Sequence, residues 1–375
     1  MSCTRGWFPS TAETVPLTGS TAITILLPPI ACYFFMAYLV ALPNTRLWRT
    51  GLLPVALWAA YRAMTLLDMS NGDPALEGKN GAIPLIMAGA ALRMAGWALE
   101  RGHLTRIGTE KHSYIWDTLH LGFSLSGIGW DSPTAPRKSG RQLSSIEVIT
   151  QGIISYVVHA LAFEGILYVH TVVYDTPEIL PWVLRRVLGI LIFPGFMYTA
   201  HSAHYPILRV FGVVVLRQDS REWPDLYSAP LRSTSLADFW GKRWHQAVRH
   251  MATSTGGRIL GGILGRSGFI MGTFVVSGLW HDAGTWGMDR RRGLCCSLTP
   301  FFALNGVGVV LEDVFKRSTG KKVGGVMGWV WAVSYMLACF LITFDAGCME
   351  EYHQQVLMSD PDHLRIVKKI SSLIA

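Results

Sequence analysis

Apolar residues run through this chain in long blocks separated by short polar stretches, with little of the two-residue alternation that marks half-buried strands. A helix needs roughly 20 apolar residues to cross the hydrocarbon core of a bilayer. Eight blocks approach or reach that length: residues 20–42, 51–67, 81–99, 147–173, 187–215, 259–280, 296–315 and 326–345. The pattern predicts an all-α, polytopic membrane bundle of about eight transmembrane helices, within a range of six to ten. Pro194 and Pro206 interrupt the fifth block, which predicts a broken helix or two short ones. Arg266 lies inside the sixth, so that span is expected to begin later than the apolar run does. The first block follows a nineteen-residue polar leader with one basic residue and is too long for a signal-peptide core, so it is read as a retained span.

Composition agrees with the pattern. Hydrophobic residues make up 50% of the 375 and charged residues 15%, with a mean hydropathy of +0.31. Soluble domains carry about 25% charged residues. Fourteen Trp and 38 Gly suit a membrane bundle, where Trp anchors at interfaces and Gly lets helices approach. Gly257, Gly261 and Gly265 are spaced at four, as are Gly268 and Gly272, which predicts close helix packing there. The six cysteines form no C-x-x-C pair and imply neither a metal site nor a disulfide framework.

The net charge of +8 is compatible with nucleic acid or with an anionic membrane surface, and its distribution favours the membrane. Loops 43–50, 100–146, 216–258 and 316–325 hold 19 Lys and Arg; the N-terminus, 68–80, 174–186, 281–295 and the C-terminus hold 10. The positive-inside rule places the first set in the cytosol. No nucleic-acid partner is expected.

Polar chemistry concentrates in two places. Leu236–His250 reads LADFWGKRWHQAVRH, and Phe274–Asp282 reads FVVSGLWHD. Taken as one helix, the first places Asp238, Lys242, His245 and Arg249 on one face and Leu236, Trp240, Trp244 and Val248 on another. Such a helix also suits a basic element lying along the membrane surface. In the second, His281 follows Ile270, Phe274 and Ser277 on one face. An ionisable group within a span is costly unless it lines a cavity, which makes function the first hypothesis; an inert histidine at the water interface is the other reading. His159, Glu164, and the H-x-x-H of His201 and His204 also fall inside predicted spans, where lining a tunnel suits them better than binding a metal. Asn305 is expected to hydrogen-bond between helices.

The pair of boxes resembles the wax-synthase-like branch of the membrane-bound O-acyltransferases. The first box reads Phe239-Trp240-Gly241-Lys242-Arg243-Trp244-His245, the second Phe274-Val275-Val276-Ser277-Gly278-Leu279-Trp280-His281. An earlier stretch, Ser124–Asp131 (SLSGIGWD), is similar to the family's RG-GW box, with Ser126 where arginine is common. The similarity is greatest to fungal members that acylate terpenoid and related secondary metabolites.

The resemblance implies a single membrane-embedded acyltransferase domain over 1–375, with both boxes inside 236–281 and an internal tunnel. It implies acyl transfer, acetyl from acetyl-CoA foremost, to a hydroxyl of a hydrophobic acceptor, with no permanently bound cofactor and no metal. An attacking alcohol needs a base, and His281 occupies the family's catalytic position. His245 is expected to orient the thioester or donate to the developing oxyanion. Trp240, Arg243, Trp244, Asp238 and Ser277 are the candidate binding residues, and Arg217, Arg221, Arg232, Lys242, Arg243 and Arg249 a basic mouth for polyanionic CoA. The setting is a multi-pass protein of the endoplasmic reticulum. Long-chain wax or sterol ester synthesis remains an alternative, as does a transporter, although no internal repeat of the transporter kind is visible. The acceptor and the oligomeric state stay open.

Overall fold

The computed structural model describes residues 13–108, 113–138, 140–175, 181–288, 290 and 298–343. Among these the chain is helical almost throughout, and the one strand ladder is a parallel pair, β1 (Val15–Pro16) with β2 (Leu67–Asp68). The helices are α1 (Gly19–Ala41, with a π-turn in its first half), α2 (Arg46–Leu66), α3 (Ala82–Leu99), α4 (Tyr114–Phe123), α5 (Ser145–Asp175), α6 (Trp182–Val210), α7 (Gln246–Ala252), α8 (Arg258–Met288), α9 (Thr299–Thr319) and α10 (Gly325–Thr343). Over its described residues each of the eight apolar blocks falls on one of them; 296–297 and 344–345 lie outside the described residues. Five described stretches, Gly19–Ala41, Leu76–Leu99, Ser145–His170, Gln246–Met288 and Gly325–Thr343, are long and apolar enough to cross a membrane. This is the polytopic helical bundle that the hydropathy predicts.

The fifth block is not broken. α6 runs through Pro194 and Pro206, and a π-turn over Phe211–Val215 continues it. Proline removes one i→i−4 donor, and in an apolar medium the freed carbonyl needs a substitute. For Pro206 that carbonyl belongs to Ser202, and the Ser155 hydroxyl of α5 donates to it at 3.2 Å.

The basic loops gather at one end of the bundle. Buried Arg49 donates to Trp97 O (2.6 Å) and Gly102 O (2.8 Å), tying the α1–α2 loop to the end of α3. Arg258 pairs with Glu100 at 2.5 Å. Lys138 reaches Asp219 and Glu222, at 3.3 and 2.8 Å. The Trp329 indole donates to Leu231 O. Of the less basic set, the described parts of 68–80 and 281–295 meet at the opposite end: Arg290 donates to Met64 O, Thr65 O and Leu67 O, and Gly287 packs on Asn80 and Gly81. Arg49 and Arg290 each place a cation on the last carbonyls of a helix, where the macrodipole is negative.

The sixth block departs most from a simple span. Gly265 sits at φ 63, ψ −145, and the helical rod reverses there. Residues 253–264 descend beside the start of the long span, which begins at Arg266, as its charge suggested. The arms touch backbone to backbone. A Cβ on Gly256 or Gly272 would fall on the other's carbonyl oxygen, and one on Gly268 would fall on Leu260 O. Gly257 and Gly261 pack on Phe269. The fourfold glycine spacing is thus the seam of a hairpin within one segment.

Gly272→Ala should therefore lower the thermal midpoint of the detergent-extracted protein, since overpacking costs about 1–3 kcal/mol. Gly262→Ala, on the same rod with nothing within 4 Å of the new methyl, should be neutral or mildly stabilising. Equal midpoints for the two variants would contradict the hairpin.

Candidate active site

The first box opens on a well-capped helix start. The Ser235 hydroxyl accepts from Asp238 N at 2.9 Å. The Glu312 carboxylate of α9 accepts from Leu236 N (2.7 Å), Ala237 N (2.9 Å) and the Trp331 indole (2.9 Å). These are the orphan donors of a helix N-terminus, satisfied by a buried anion. The single helix expected over Asp238–His250 does not form. Residues Leu236–Asp238 lead into a π-turn over Phe239–Arg243, Trp244 is extended, and His245 takes a left-handed backbone at φ 46 before α7 begins. The Gln246 side chain donates to Trp244 O (2.8 Å) and Trp240 O (3.3 Å), satisfying carbonyls that the break leaves open.

The segment enters the protein rather than lying on a surface. The Trp240 ring packs against Phe274, Phe301 and Phe302, and its N–H donates to Asn305 Oδ1 at 3.0 Å. Asn305 is fully buried, and its amide donates to Phe301 O, so it joins α9 to the box. Met251 and Trp280 both reach Gly89, midway along α3. Irregular backbone at such depth is tolerated only inside protein or along a cavity.

Both conditions hold here. A cavity of about 500 Å³ is lined by Trp240, Gly241, Trp244, His245, Val248 and Arg249 from the first box and α7, by Arg266, Phe274, Ser277, Trp280 and His281 from α8, and by Phe302 from α9. The His281 ring stacks on Phe302 (4.9 Å between centroids, 9° between planes) and lies 4.7 Å from Trp280. The next residue, Asp282, is buried and holds the start of α9: Leu298 N and Thr299 N donate to it, as does the Thr299 hydroxyl at 2.6 Å. From Arg266 to His281 is 15 residues of α8, or ~22 Å at 1.5 Å per residue, so the cavity has arginines towards the basic end and His281 deep inside. Behind Trp280 lies a second, almost wholly apolar cavity of about 450 Å³, lined by α2, α3 and α8. The Trp280 indole donates to Leu85 O at 2.8 Å and forms the wall between the two.

Of the seven residues picked from sequence, His245, His281, Trp240, Trp244 and Ser277 meet on this cavity. Asp238 and Arg243 do not line it. Arg243 Nε donates to Asp238 Oδ2 at 2.6 Å, and its Nη1 donates to Ser228 O and Ala229 O. The guanidinium clamps the box to the preceding loop. The basic mouth also contracts: of the six residues expected there, Arg249 alone lines the cavity, joined by Arg266, which pairs with Asp313 at 2.7 Å. Arg221 is held by Asp219. The Arg249 guanidinium has no protein partner among the described residues. The Trp240 indole N–H is committed to Asn305 and is unavailable to an oxyanion, whereas the Trp244 indole N–H has no hydrogen-bond partner among the described residues.

His159 bonds within its own helix, to Ser155 O at 2.8 Å, and faces a separate polar cavity of about 250 Å³ between α5 and α6. His204 likewise bonds to Ala200 O. His201 is different, since its ring lies 4.9 Å from His245. The H-x-x-H spacing drew attention to it, but nothing in the sequence linked it to the first box.

The third box, Ser124–Asp131, supports the site from outside. Gly127 (φ 70) closes against the His250 ring and Gly129 (φ 90) against the Glu222 carboxylate, contacts a side chain would obstruct. The Ser126 hydroxyl donates to Glu222 O. Glu222 meets His120 at 2.9 Å and Lys138 at 2.8 Å. Burial pushes its carboxyl upward, but the hydrogen bonds and charges of His120 and Lys138 hold it below the ordinary value. Arg221 holds Asp219 well below the usual carboxylate range.

Fold and site together define a multi-pass membrane protein with an internal cavity faced by two histidines from separate boxes. Residues 223–304 match the model of the membrane bound O-acyl transferase family, a match that spans both boxes, and the chain is a relative of those proteins. It is 25% identical over 173 residues to acetyltransferase aurG of Calcarisporium arbuscula (41% of this chain, 42% of that one). It is 26% identical over 237 residues to O-Mevalon transferase macI of Penicillium terrestre (56% and 54%). It is 25% identical over 301 residues to a long-chain-alcohol O-fatty-acyltransferase of Simmondsia chinensis (78% of each). The matches to the two fungal proteins span about half of their length. No solved structure matches.

Trp240→Phe should lower the thermal midpoint by leaving the Asn305 carbonyl buried and unpaired, at a cost of about 1–3 kcal/mol. Adding Asn305→Leu should restore part of that loss, since removing both partners removes the unpaired group. Additive losses in the double variant would show that the bond does not anchor the box.

Proposed function

We propose that the chain is an acyl-CoA-dependent O-acyltransferase that moves an acetyl group from acetyl-CoA to a hydroxyl of a hydrophobic acceptor, such as a terpenoid or related secondary metabolite. The carrying observation is the single cavity that joins His281, His245 and the unpartnered Arg249. His281 takes the proton of the acceptor hydroxyl as the oxygen attacks the thioester carbonyl carbon. The tetrahedral intermediate carries an oxyanion that His245 and the Trp244 indole N–H meet in a water-poor cavity. Collapse breaks the C–S bond, and the leaving thiolate takes the proton from the imidazolium. Arg249 and Arg266 receive the CoA phosphates, with Arg243 as a clamp for the box. The acceptor comes from the bilayer through the apolar cavity behind Trp280. The whole of 1–375 acts as one domain, seated in the endoplasmic reticulum with the basic end in the cytosol. The similarity to the Simmondsia enzyme over 78% of the chain supports a second reading, long-chain ester synthesis with fatty acyl-CoA.

Microsomes carrying the protein, supplied with labelled acetyl-CoA or palmitoyl-CoA and with a hydroxylated terpenoid or a fatty alcohol, test both. Acetyl ester on the terpenoid is the expected product; palmitoyl ester on the fatty alcohol would replace it with the second reading, and uptake without ester would exclude an enzyme. His281→Ala should reduce turnover by ~10²–10⁴-fold, the usual worth of a general base. Retention of more than about a tenth of the wild-type rate would be too much for that role. Arg249→Gln should raise KM for acyl-CoA and flatten its salt dependence while leaving kcat nearly unchanged. An unchanged KM would remove Arg249 from the donor site.

A further inference from the structure

Residues 224–228 pass over the break in the first box. Two backbone bonds pin them there: Ser228 N donates to Arg243 O at 2.9 Å, and Gln246 N donates to Leu226 O at 3.1 Å. At the centre of this pairing stands Tyr227. Its ring meets Trp244 edge-on at 4.8 Å and lies 6.1 Å from the His245 ring. Its hydroxyl lies 2.9 Å from His201 Nδ1. The His201 ring, carried by α6, lies 4.9 Å from His245, tilted by 42°.

His245 needs such support. A left-handed backbone at a non-glycine residue is uncommon and persists where its surroundings over-determine it. Its imidazole makes no hydrogen bond to any described residue, so packing against neighbouring rings sets its direction. Neighbours on the cavity side leave space, whereas His201 and Tyr227 close the other side. A hydrogen bond between those two fixes the tilt of His201, and His201 is the ring in nearest contact with His245.

We propose that Tyr227 and His201 form a positioning dyad for His245: the hydrogen bond between the Tyr227 hydroxyl and His201 Nδ1 locks the His201 ring, which holds the His245 imidazole towards the cavity. Neither touches the reacting atoms. The inference rests on the reading of His245 as a group that meets the thioester.

Tyr227→Phe and His201→Phe keep both rings and remove the same hydrogen bond. Each should lower kcat by about tenfold or more, as small misplacements of a catalytic group do, while KM for acyl-CoA stays within about twofold. The double variant should be no slower than the slower single one, since one bond is lost in all three. Size-exclusion profiles and thermal midpoints of the extracted proteins identify any variant that fails to fold; Tyr227→Phe removes a single oxygen and supplies the reading if His201→Phe fails. A wild-type kcat in both singles, multiplied losses in the double, or a loss confined to KM would each overturn the dyad. His245→Ala separates this from the underlying reading. A wild-type rate in His245→Ala refutes the role of His245 itself, while an inactive His245→Ala beside fully active Tyr227→Phe and His201→Phe refutes the dyad alone.

Discussion

Everything at the cavity depends on the contact between two stretches of bare backbone at Gly256 and Gly272. Because neither residue carries a Cβ, the arm 253–264 can lie against the start of the span that begins at Arg266, and Gly265 supplies the reversal that brings it there. Helices in lipid gain little from the hydrophobic effect between them, so close backbone packing carries much of their association. The hairpin draws α7, and with it His245, down beside the span that bears His281. A straight helix through 246–280 would hold the two histidines far apart along one rod.

The depth of the first box sets a second demand. A π-turn, an extended residue and a left-handed residue leave several carbonyls and amides without helical partners. Each is costly to leave unpaired away from water. The protein meets the demand from inside and outside the box: Glu312 of α9 takes the amides at the helix start and Gln246 the carbonyls at the break, while Arg243 ties the box to the preceding loop and Asn305 holds the Trp240 indole. Several polar groups of this fifteen-residue stretch, Asp238, Arg243 and Gln246 among them, therefore serve its own architecture. Most of them build the site, and few face it.

The charge distribution has the same double character. Arginines placed by topology at the basic end of the bundle mostly became structural. Arg49 closes a helix end, Arg221 and Arg243 hold aspartates, and Arg258 pairs with Glu100. Against that background Arg249 stands out, since it lines the cavity and has no partner among the described residues. A guanidinium at the basic end of this cavity with no partner among the described residues suits a polyanionic ligand, and the proposed acyl donor is one.

The sequence by itself determined the class of solvent, the number and place of the long helices, and the two boxes, because these depend on local quantities: the length of an apolar run, a spacing of four, a residue type out of keeping with its neighbours. Through Arg266 it also signalled that the sixth span begins later than its apolar run, and it anticipated the bridging role of Asn305. Only the tertiary structure decided that α6 would survive two prolines, since the hydroxyl that meets the freed Ser202 carbonyl comes from another helix. It decided that the first box would break at His245, because bonds at the break come from another segment: Ser228 N donates to Arg243 O, and Leu226 O accepts from Gln246 N. It assigned Arg243 to Asp238 and brought His201 and Tyr227 to His245. Those choices turn on contacts between residues far apart in the chain, and no periodicity or spacing within one segment encodes where a neighbouring helix will present its side chains.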